Sequence, residues 1–434
     1  MARKITFFRR LAAFSAGLGI ASAAAASQAP TQANVPEASS NKETVLTIDN
    51  TSLFKSSVID IQKPAFIFSL KNDLTGNYDL MISSFGLFSA DKIFKIEDIA
   101  TQVNSDSYNI QTALNKVVWP NEVKKAPAEI FGPGFYSSAG GFLVPGKQTG
   151  AITVFNPDKN VFAEISTPKK GFFYHRILWM DINGDGHIDG ITARANKPII
   201  GRSKGELLWL ENPGSNHLER WKEHVINDSS DVHFRLLDIN SDGLLDIIST
   251  NFFSKKLTIT YQLEGPTWSS QVIDADLGSA FDLSVVDING DGNKDLLVTN
   301  HEADAKAAVF AYDMISSDPA SWVRHTLHEG FVTKQKGIGS ASPGEAIAFH
   351  PQVNAPFAKP WIVVAGDGSQ KAHLLIPRSM DSQNWEYDEK VIIDTGSTVG
   401  KISAKDIDGD GYTNIFVPAY DKDQIHVFEF GPAE

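Results

Sequence analysis

The sequence of 434 residues contains no cysteine. That absence excludes disulfide bonds, zinc sites with cysteine ligands and cysteine nucleophiles. Basic residues are also outnumbered, because 39 Lys+Arg against 52 Asp+Glu give a formal net charge of -13. An acidic chain lacks the basic surface that binds phosphates, so we expect no nucleic-acid partner. No apolar run is long enough to span a bilayer as a helix, so we also expect no membrane span.

The N-terminal segment predicts export. Four basic residues among the first ten precede the short apolar stretch 11–20, and small residues follow at Ala21 and Ala23. This order is that of a secretory signal peptide. We therefore predict a signal peptide at 1–26, a disordered polar leader at 27–43 and a single folded domain at 44–434. The predicted location is secreted or extracellular, or periplasmic in a bacterium, and the predicted state is a monomer.

Four short segments of the sequence repeat one another. They are DINGDGHID from Asp181, DINSDGLLD from Asp238, DINGDGNKD from Asp287 and DIDGDGYTN from Asp406. Their starts are separated by 57, 49 and 119 residues, and the longest step hides a degenerate copy around His350. Short runs rich in apolar and β-branched residues flank each copy, which predicts strands rather than helices.

The repeat predicts an all-β fold. About four strands in roughly 50 to 60 residues is the unit of a β-propeller blade. Two further degenerate copies, around Gly76 and Gly140, bring the total to seven four-stranded blades. After the last motif only two strands remain, so we expect the N-terminal strand Thr44–Asp49 to complete the final blade. Closure of this kind removes the exposed edge that an open ring would leave.

The repeated motif offers oxygen ligands on alternate residues. In D-x-[DN]-x-D-G-x-x-D, the side chains at positions one, three, five and nine and the carbonyl at position seven can wrap a hard cation. We predict Ca²⁺ at four loops. Three sites should be strong and the fourth weaker, because Asn414 replaces the ninth-position aspartate there. An EF-hand is excluded because the flanks are strands, whereas a plain Asp/Asn/Gly hairpin stays open as the alternative. The predicted ligand residues are Asp181, Asn183, Asp185, His187, Asp189, Asp238, Asn240, Asp242, Leu244, Asp246, Asp287, Asn289, Asp291, Asn293, Asp295, Asp406, Asp408, Asp410 and Tyr412.

These loops resemble the FG-GAP/VCBS repeats, which are known from integrin α-subunit heads and from many secreted proteins. The resemblance covers the chain from Asp181 to Phe430 well and its first third poorly. It implies a propeller in which the calcium ions are structural and lie on the face opposite the ligand site. The resemblance does not specify an activity.

The geometry of a blade predicts a second face with polar groups. If each motif joins the first and second strands, the start of the first and the end of the second lie at the opposite face. The central entrance of a propeller is a natural ligand site. The candidate ligand-binding residues at these strand ends are Asp282, Arg194, Asn251, Asn300, Glu302, Glu345, Asp367, Lys371 and Lys401. The candidate catalytic residues, which could supply a base or a positive charge, are His175, His233, His301, Tyr420, Arg176 and Arg235.

Two functions are compatible with this face. The first is a secreted recognition module that binds an extracellular glycan or protein, with calcium stiffening the blades. The second is a carbon-oxygen lyase or dehydratase acting on a sugar, which a resemblance to aldos-2-ulose dehydratase and to propeller polysaccharide lyases implies. Such chemistry needs a base to remove a proton and a cation to stabilise the resulting anion. A purely structural role is a third alternative, and the sequence leaves the choice open.

Overall fold

The computed structural model describes residues 42–144, 146–198, 201–228, 230–334, 340–355 and 358–433. The predicted signal peptide at 1–26 and most of the predicted leader at 27–43 lie outside the described residues. Within these ranges, no helix is both long enough and apolar enough to cross a membrane.

The chain folds as an all-β propeller of seven blades, as the repeat predicts. The first blade contains β3 (Pro64–Lys71), β4 (Tyr78–Ser84), β5 (Lys92–Ile96) and β6 (Ile110–Leu114), and the second contains β7 (Glu122–Lys125), β8 (Tyr136–Ala139), β10 (Ile152–Asn156) and β11 (Val161–Glu164). The third contains β13 (Phe172–Met180), β14 (Asp189–Asn196), β15 (Lys204–Glu211) and β16 (Lys222–Asn227), and the fourth contains β17 (Phe234–Leu237), β18 (Asp246–Asn251), β19 (Lys256–Gln262) and β20 (Trp268–Asp274).

The remaining strands complete the ring. The fifth blade contains β21 (Ala280–Val286), β22 (Asp295–Asn300), β23 (Ala308–Asp313) and β24 (Val323–Glu329), and the sixth contains β25 (Ala346–Phe349), β26 (Trp361–Ala365), β27 (Lys371–Pro377) and β28 (Tyr387–Asp394). The seventh joins β29 (Ser403–Lys405), β30 (Asn414–Ala419) and β31 (Gln424–Pro432) to β2 (Thr51–Asp60) and β1 (Glu43–Ile48). The two-residue strands β9 (Thr149–Gly150) and β12 (Lys169–Lys170) extend the third sheet, and the helical segments are α1 (Ile99–Ser105), α2 (Ala128–Phe131) and the 3₁₀ turns Pro319–Ser321 and Tyr420–Lys422.

The N-terminal part of the chain closes the ring, although not through the strand that the sequence predicts. The strand that pairs with β31 is β2, from Thr51 opposite Pro432 to Asp60 opposite Gln424. The predicted strand, residues 44–49, corresponds to β1, which pairs with β2 and lies one strand further out. The side chains of β1 are exposed or half-buried, whereas β2 carries fully buried apolar residues. The closing position therefore belongs to the strand that can fill the space between blades.

Apolar side chains between neighbouring blades form the core. Leu296 and Val298 of β22 are fully buried in one cluster with Ile248 and Ile259 of the fourth blade. Each side chain buried in this way stabilises the fold by roughly 1.5–3 kcal/mol relative to leaving it exposed. Every residue of β18, β22 and β30 is buried, because these strands are covered on both faces. The packed core holds the strand ends in fixed positions at the two faces of the ring.

Candidate functional site

The four motif loops share one conformation, between the first and second strands of their blades. In each loop the first aspartate accepts a backbone N–H from the sixth-position glycine, as Asp181 does from Gly186 at 2.8 Å. The fifth-position aspartate accepts from the backbone at position seven, as Asp185 does from His187 at 2.8 Å. Gly186 has a φ of 85°, which glycine adopts without steric cost. The motif therefore builds a tight turn with carboxylate groups along its inner side.

The fourth loop has the densest set of carboxylates among the described residues. Oxygen atoms of Asp406, Asp408 and Asp410 lie within 4.8 Å of one another. Burial, with the charges of the other two, raises the pKa of Asp408. In the other three loops an asparagine at position three donates to the fifth-position aspartate, at 3.0, 2.9 and 3.2 Å. Clustered carboxylate oxygens fit a hard divalent cation such as Ca²⁺, which would neutralise their charges.

The ninth position of the motif tethers the loop to its own blade. Asp189 accepts the backbone N–H of Ile182 at 3.1 Å and that of Asn212 at 2.7 Å. In the fourth loop the amide oxygen of Asn414 accepts the equivalent N–H, from Ile407, at 3.2 Å. Asn414 therefore preserves the tether, and the geometry gives no reason to rank the fourth loop below the other three.

At the opposite face, all seven blades contribute to one pocket at the mouth of the central channel. The segments around the starts of the first strands supply Phe66, Asn121, Phe173, His175, Val232, His233, Phe281, Gly344, Glu345, Gly400 and Lys401. The segments after the second strands supply Phe142, Phe252, Phe253, His301 and Asp367. The cavity has a volume of about 40 Å³. Since one water needs at least 10–15 Å³ on this measure, the pocket has room for about three waters or for one small chemical group.

Irregular pairing aims several of these residues at the channel. The register between β13 and β14 shifts at Tyr174/Arg176, which leaves His175 as an extra residue in the strand. The register between β21 and β22 shifts in the same way around Phe281 and Asp282. A β-bulge redirects side chains and is common next to functional sites. The pocket lining therefore depends on bulges as well as on the alternation of the strands.

His233 and Asp282 form a hydrogen-bonded pair at the pocket. Nδ1 of His233 lies 2.8 Å from Oδ1 of Asp282, whose other oxygen accepts the backbone N–H of Ala346 at 3.1 Å. Burial opposes the negative charge, but the hydrogen bond from His233 and the charges of Arg176 and Lys401 hold the pKa of Asp282 below its usual range. An ionised carboxylate only accepts hydrogen bonds, so a neutral His233 carries its proton on Nδ1. Its Nε2 is then an acceptor.

His301 and Asp367 form the second polar group of the pocket. Nδ1 of His301 donates to the carbonyl oxygen of Pro343 at 3.0 Å, and its Nε2 lies 3.7 Å from Oδ2 of Asp367. Burial lowers the pKa of His301 to about 4. Burial and the charge of Asp421 raise the pKa of Asp367 to about 7. Asp367 has a φ of 44°, and strained backbone of this kind clusters at functional sites.

Paired charges lie in and next to the pocket lining. Nε of Arg176 donates to Glu122 at 2.9 Å, and Lys124 lies 3.3 Å from the same carboxylate oxygen. Lys401 pairs with Glu345. Burial also lowers the pKa of His175, to well below its usual value, with His233 and Arg176 adding to the effect. Each of the three positive groups therefore has a carboxylate partner, and His175 stays neutral.

Three of the candidate ligand-binding residues are engaged within their own blades. Arg194 donates to two glutamates, at 2.6 and 2.7 Å. Asn251 donates to the hydroxyl of Thr258 at 3.0 Å. Asn300 makes three hydrogen bonds to the main chain, two of 2.9 Å and one of 2.7 Å. These side chains stabilise strand ends and do not line the pocket.

Four further candidates also lie outside the pocket lining. The hydroxyl of Tyr420 donates to a carbonyl oxygen at 2.7 Å, and burial raises its pKa, which does not suit a base. Arg235 donates to the carbonyl of the preceding residue at 3.1 Å. Glu302 accepts the backbone N–H of Ser279 at 2.7 Å, and Lys371 begins β27. The pocket thus retains three histidines, Glu345, Asp367 and Lys401 from the sequence-based set.

The aromatic lining is the part of the pocket that the sequence analysis misses. Phe252 and Phe253 directly follow the candidate Asn251, and Phe281 directly precedes the candidate Asp282. A search for polar residues at strand ends passes over them, because phenylalanine in a propeller is expected in the core. Asn121 is missed because the motif of the second blade is degenerate, so it gives no position from which to count to the strand end. Adjacency to a candidate polar residue is the signal that could have identified the rings.

Comparisons with known proteins support the repeat and the fold. A model of the FG-GAP-like repeat matches residues 238–298. No curated protein matches the sequence. A crystal structure of glucose dehydrogenase is similar with a TM-score of 0.43 and 9% identity, over 75% of this chain and 100% of that chain, which is too distant to support any statement about function. The resemblance noted in the sequence is confirmed: the chain is a seven-bladed β-propeller that contains an FG-GAP-like repeat.

Proposed function

We propose that this chain is a secreted, calcium-stabilised propeller that binds an extracellular glycan or protein at the pocket opposite its motif loops. The observation that carries the proposal is the contribution of all seven blades to one small pocket. Side chains that converge from rigid elements on a cavity are the usual setting of a ligand site. The bulges and the strained backbone of Asp367 at the same place support this reading.

The size of the pocket favours recognition of an end group. A cavity of about 40 Å³ does not accommodate a sugar ring or a peptide segment. We propose that the ligand inserts one terminal group between the aromatic rings while the rest of it lies across the surrounding loops. This arrangement suits a chain end better than the interior of a polymer.

A glycan array and a panel of extracellular proteins would test the proposal. His301→Ala removes an imidazole from the pocket, and His224→Ala is a matched control on β16, where His224 stacks on Trp209 with ring centroids 4.3 Å apart. We expect the unmodified protein and the control to bind the same ligands, and His301→Ala to bind them at least about tenfold more weakly, because one pocket contact of 1.4 kcal/mol changes affinity tenfold. Equal binding by all three proteins would refute the proposed site.

A sugar lyase or dehydratase is the second candidate function, and the His233–Asp282 pair favours it. A histidine oriented by a carboxylate at 2.8 Å is a common arrangement for a general base. In this case a terminal sugar residue would lie over the mouth of the pocket with only its carboxylate or carbonyl inside, and Nε2 of His233 would remove the proton next to that group. The electron pair would pass into an enolate-like intermediate, whose negative charge Lys401 would stabilise. That pair would then form a carbon-carbon double bond as the neighbouring carbon-oxygen bond breaks, and the leaving oxygen would take the proton from the imidazolium of His233.

An assay on uronate-containing polysaccharides separates the two candidates. An eliminase creates an unsaturated product, so its activity appears as new ultraviolet absorbance. We expect His233→Ala and His175→Ala to abolish that absorbance if the enzyme reading holds. Binding on the array without any turnover would favour the recognition module, and turnover unaffected by both variants would exclude these residues.

We also propose that Ca²⁺ binds the motif loops and stabilises the blades. The support is the chemistry of the donors, since each loop directs oxygen atoms inward and the fourth brings three carboxylates within 4.8 Å. Oxygen ligands from a short loop are what Ca²⁺ prefers. The loops lie at the face opposite the pocket, so the ion would have a structural role.

A further inference from the structure

We infer that the group bound in this pocket is a small organic ammonium ion. The inference rests on the proposed binding role of the pocket and specifies the chemistry of its ligand. It depends on three features of the lining: the excess of hydrogen-bond acceptors, the faces of aromatic rings and the engagement of the donors.

The first feature is an unpaired acceptor in the lining. Asn121 is 5% exposed, and its amide N–H₂ donates to the carbonyl oxygens of Gly141 at 2.9 Å and Tyr174 at 2.7 Å. With both donors used, Oδ1 of Asn121 has no hydrogen-bond partner among the described residues. An acceptor buried without a partner is costly, so a small movement of the lining that lets a donating ligand reach this solvent-closed oxygen would be favoured.

The two oriented imidazoles add acceptors. Nδ1 of His301 must donate to the carbonyl of Pro343, because a carbonyl only accepts, which leaves Nε2 with a lone pair. His233 is oriented in the same sense by Asp282. Neither Nε2 has a hydrogen bond within the described part of the chain, and that of His301 lies beside the carboxyl group of Asp367 at 3.7 Å. The pocket therefore presents Nε2 of His301, Nε2 of the neutral form of His233 and a carboxyl group.

Aromatic rings form the rest of the lining. Six phenylalanines contribute to it, namely Phe66, Phe142, Phe173, Phe252, Phe253 and Phe281. The face of an aromatic ring attracts a cation within about 6 Å of its centre, and rings together with a carboxylate bind ammonium groups in many proteins. The chain itself provides an example at this rim, where Nζ of Lys197 lies 5.1 Å from the centroid of Phe253.

The donors of the site are already engaged. Lys401 pairs with Glu345 and lies 5.6 Å from the ring of Phe68. Arg176 donates from Nε to Glu122 and is not part of the pocket lining, although its Nη1 has no partner among the described residues. An anionic ligand would therefore find few free donors, whereas a cationic donor would find both acceptors and ring faces.

A metal ion is the main rival occupant, and the distances argue against it. A metal centre requires its ligand atoms to converge. Among the described residues, the group of three or more such side chains with ligand atoms within 4.8 Å is Asp406, Asp408 and Asp410 at the other face. The histidines of the pocket do not converge in this way, so an organic cation that contacts them separately fits better.

Calorimetric titration with small probes tests the inference. Methylammonium and ethylammonium are compared with their neutral counterparts, methanol and ethanol, with the anion acetate and with Zn²⁺. We expect the cations to bind at least about tenfold more tightly than the neutral probes. At pH 8.5, above the pKa of about 7 of the Asp367 carboxyl group, Asp367→Asn keeps the shape but removes the charge and should weaken cation binding at least about fivefold. The control is Asp388→Asn. Asp388 lies on β28 in an exposed ion pair with Arg378, so this variant should leave cation binding unchanged.

Each outcome bears on one of the two proposals. The ammonium inference is overturned if a neutral or anionic probe binds as tightly as the ammonium ions or more tightly. It is also overturned if no ammonium ion binds while Zn²⁺ binds and loses its binding in His301→Ala. Ligand binding on the array that depends on His301, without binding of any ammonium probe, overturns this inference and leaves the proposed function standing. If Asp367→Asn does not fold by circular dichroism, His301→Gln replaces it and should weaken the cations to the same extent. Glucosamine and Nα-acetyl-lysine then show whether the ammonium group comes from a sugar or a protein.

Discussion

Removal of the closing strand should unfold the ring, and removal of the strand outside it should not. Leu53 and Ile59 are fully buried, and Phe54 and Ile61 are at most 8% exposed. At roughly 1.5–3 kcal/mol for each buried side chain, these four contribute about 6–12 kcal/mol. That amount is similar to the whole net stability of a typical domain, about 5–15 kcal/mol. A chain that begins at residue 62 should therefore have no cooperative unfolding transition.

The matched control is a chain that begins at residue 50, which lacks β1 and keeps β2. The apolar side chains of β1 are half-buried at most. If each of the three contributes half of what a fully buried side chain does, the free energy of unfolding should fall by about 2–4 kcal/mol. Urea unfolding, followed by tryptophan fluorescence, measures the free energy of unfolding of both truncated chains.

Point substitutions refine the comparison. Leu53→Ala should cost about 2–5 kcal/mol, as expected for a fully buried leucine, and the half-buried Val45→Ala clearly less. Two results would refute the reasoning: equal destabilisation by the two truncations, or a cost below about 1 kcal/mol for Leu53→Ala.

Three other predictions follow from the ion pairs, the histidines and the loops. Glu122→Gln leaves the buried Arg176 without its carboxylate and should cost about 3–5 kcal/mol in urea unfolding; a cost below about 1 kcal/mol would contradict the role of the pair. Burial holds the pKa of His301 at about 4 instead of 6.5, so its contribution to stability is complete above pH 6.5 and is lost as the pH falls towards 4. By pH 4.5 the loss in the free energy of unfolding is about 2.5 kcal/mol. Between pH 7.5 and 4.5 the free energy of unfolding of His301→Gln should therefore fall by that much less than that of the unmodified protein. Identical pH profiles would contradict this. Chelation should lower the melting temperature, and Asp410→Asn should reduce its recovery on adding Ca²⁺; unchanged melting after demonstrated metal removal would refute the calcium proposal.

The sequence predicts the blades well because their spacing is marked by a motif. Three motif copies begin at Asp181, Asp238 and Asp287 and locate the first and second strands of three successive blades. The closing strand could not be assigned from the sequence, because β1 and β2 are both β-rich segments before the first blade. The difference between them is burial, which depends on the neighbouring blades rather than on local sequence.

The pocket was predictable in position but not in detail. The rule that two strand ends meet at one face locates His233, His301 and Lys401. It fails by one residue at Asn251, because the next residue, Phe252, faces the pocket instead. Bulges such as the one at His175 change which side of a strand a residue occupies, and a period of two cannot reveal them. The aromatic character of the lining follows from these one-residue shifts.

The closure of the ring has a consequence for how the chain can be connected. The backbone N–H of Ala433 donates to the carbonyl oxygen of Asn50 at 2.9 Å, so the end of β31 lies beside the turn between β1 and β2. In a chain that begins at Asn50 and so lacks β1, a short linker from Ala433 would convert the polypeptide into a circle without moving any of the seven blades. New ends opened in the exposed hairpin 264–266 between β19 and β20 would give a circular permutant. In that permutant the seventh blade is built from consecutive strands. The position at which synthesis begins is therefore separable from the architecture that results.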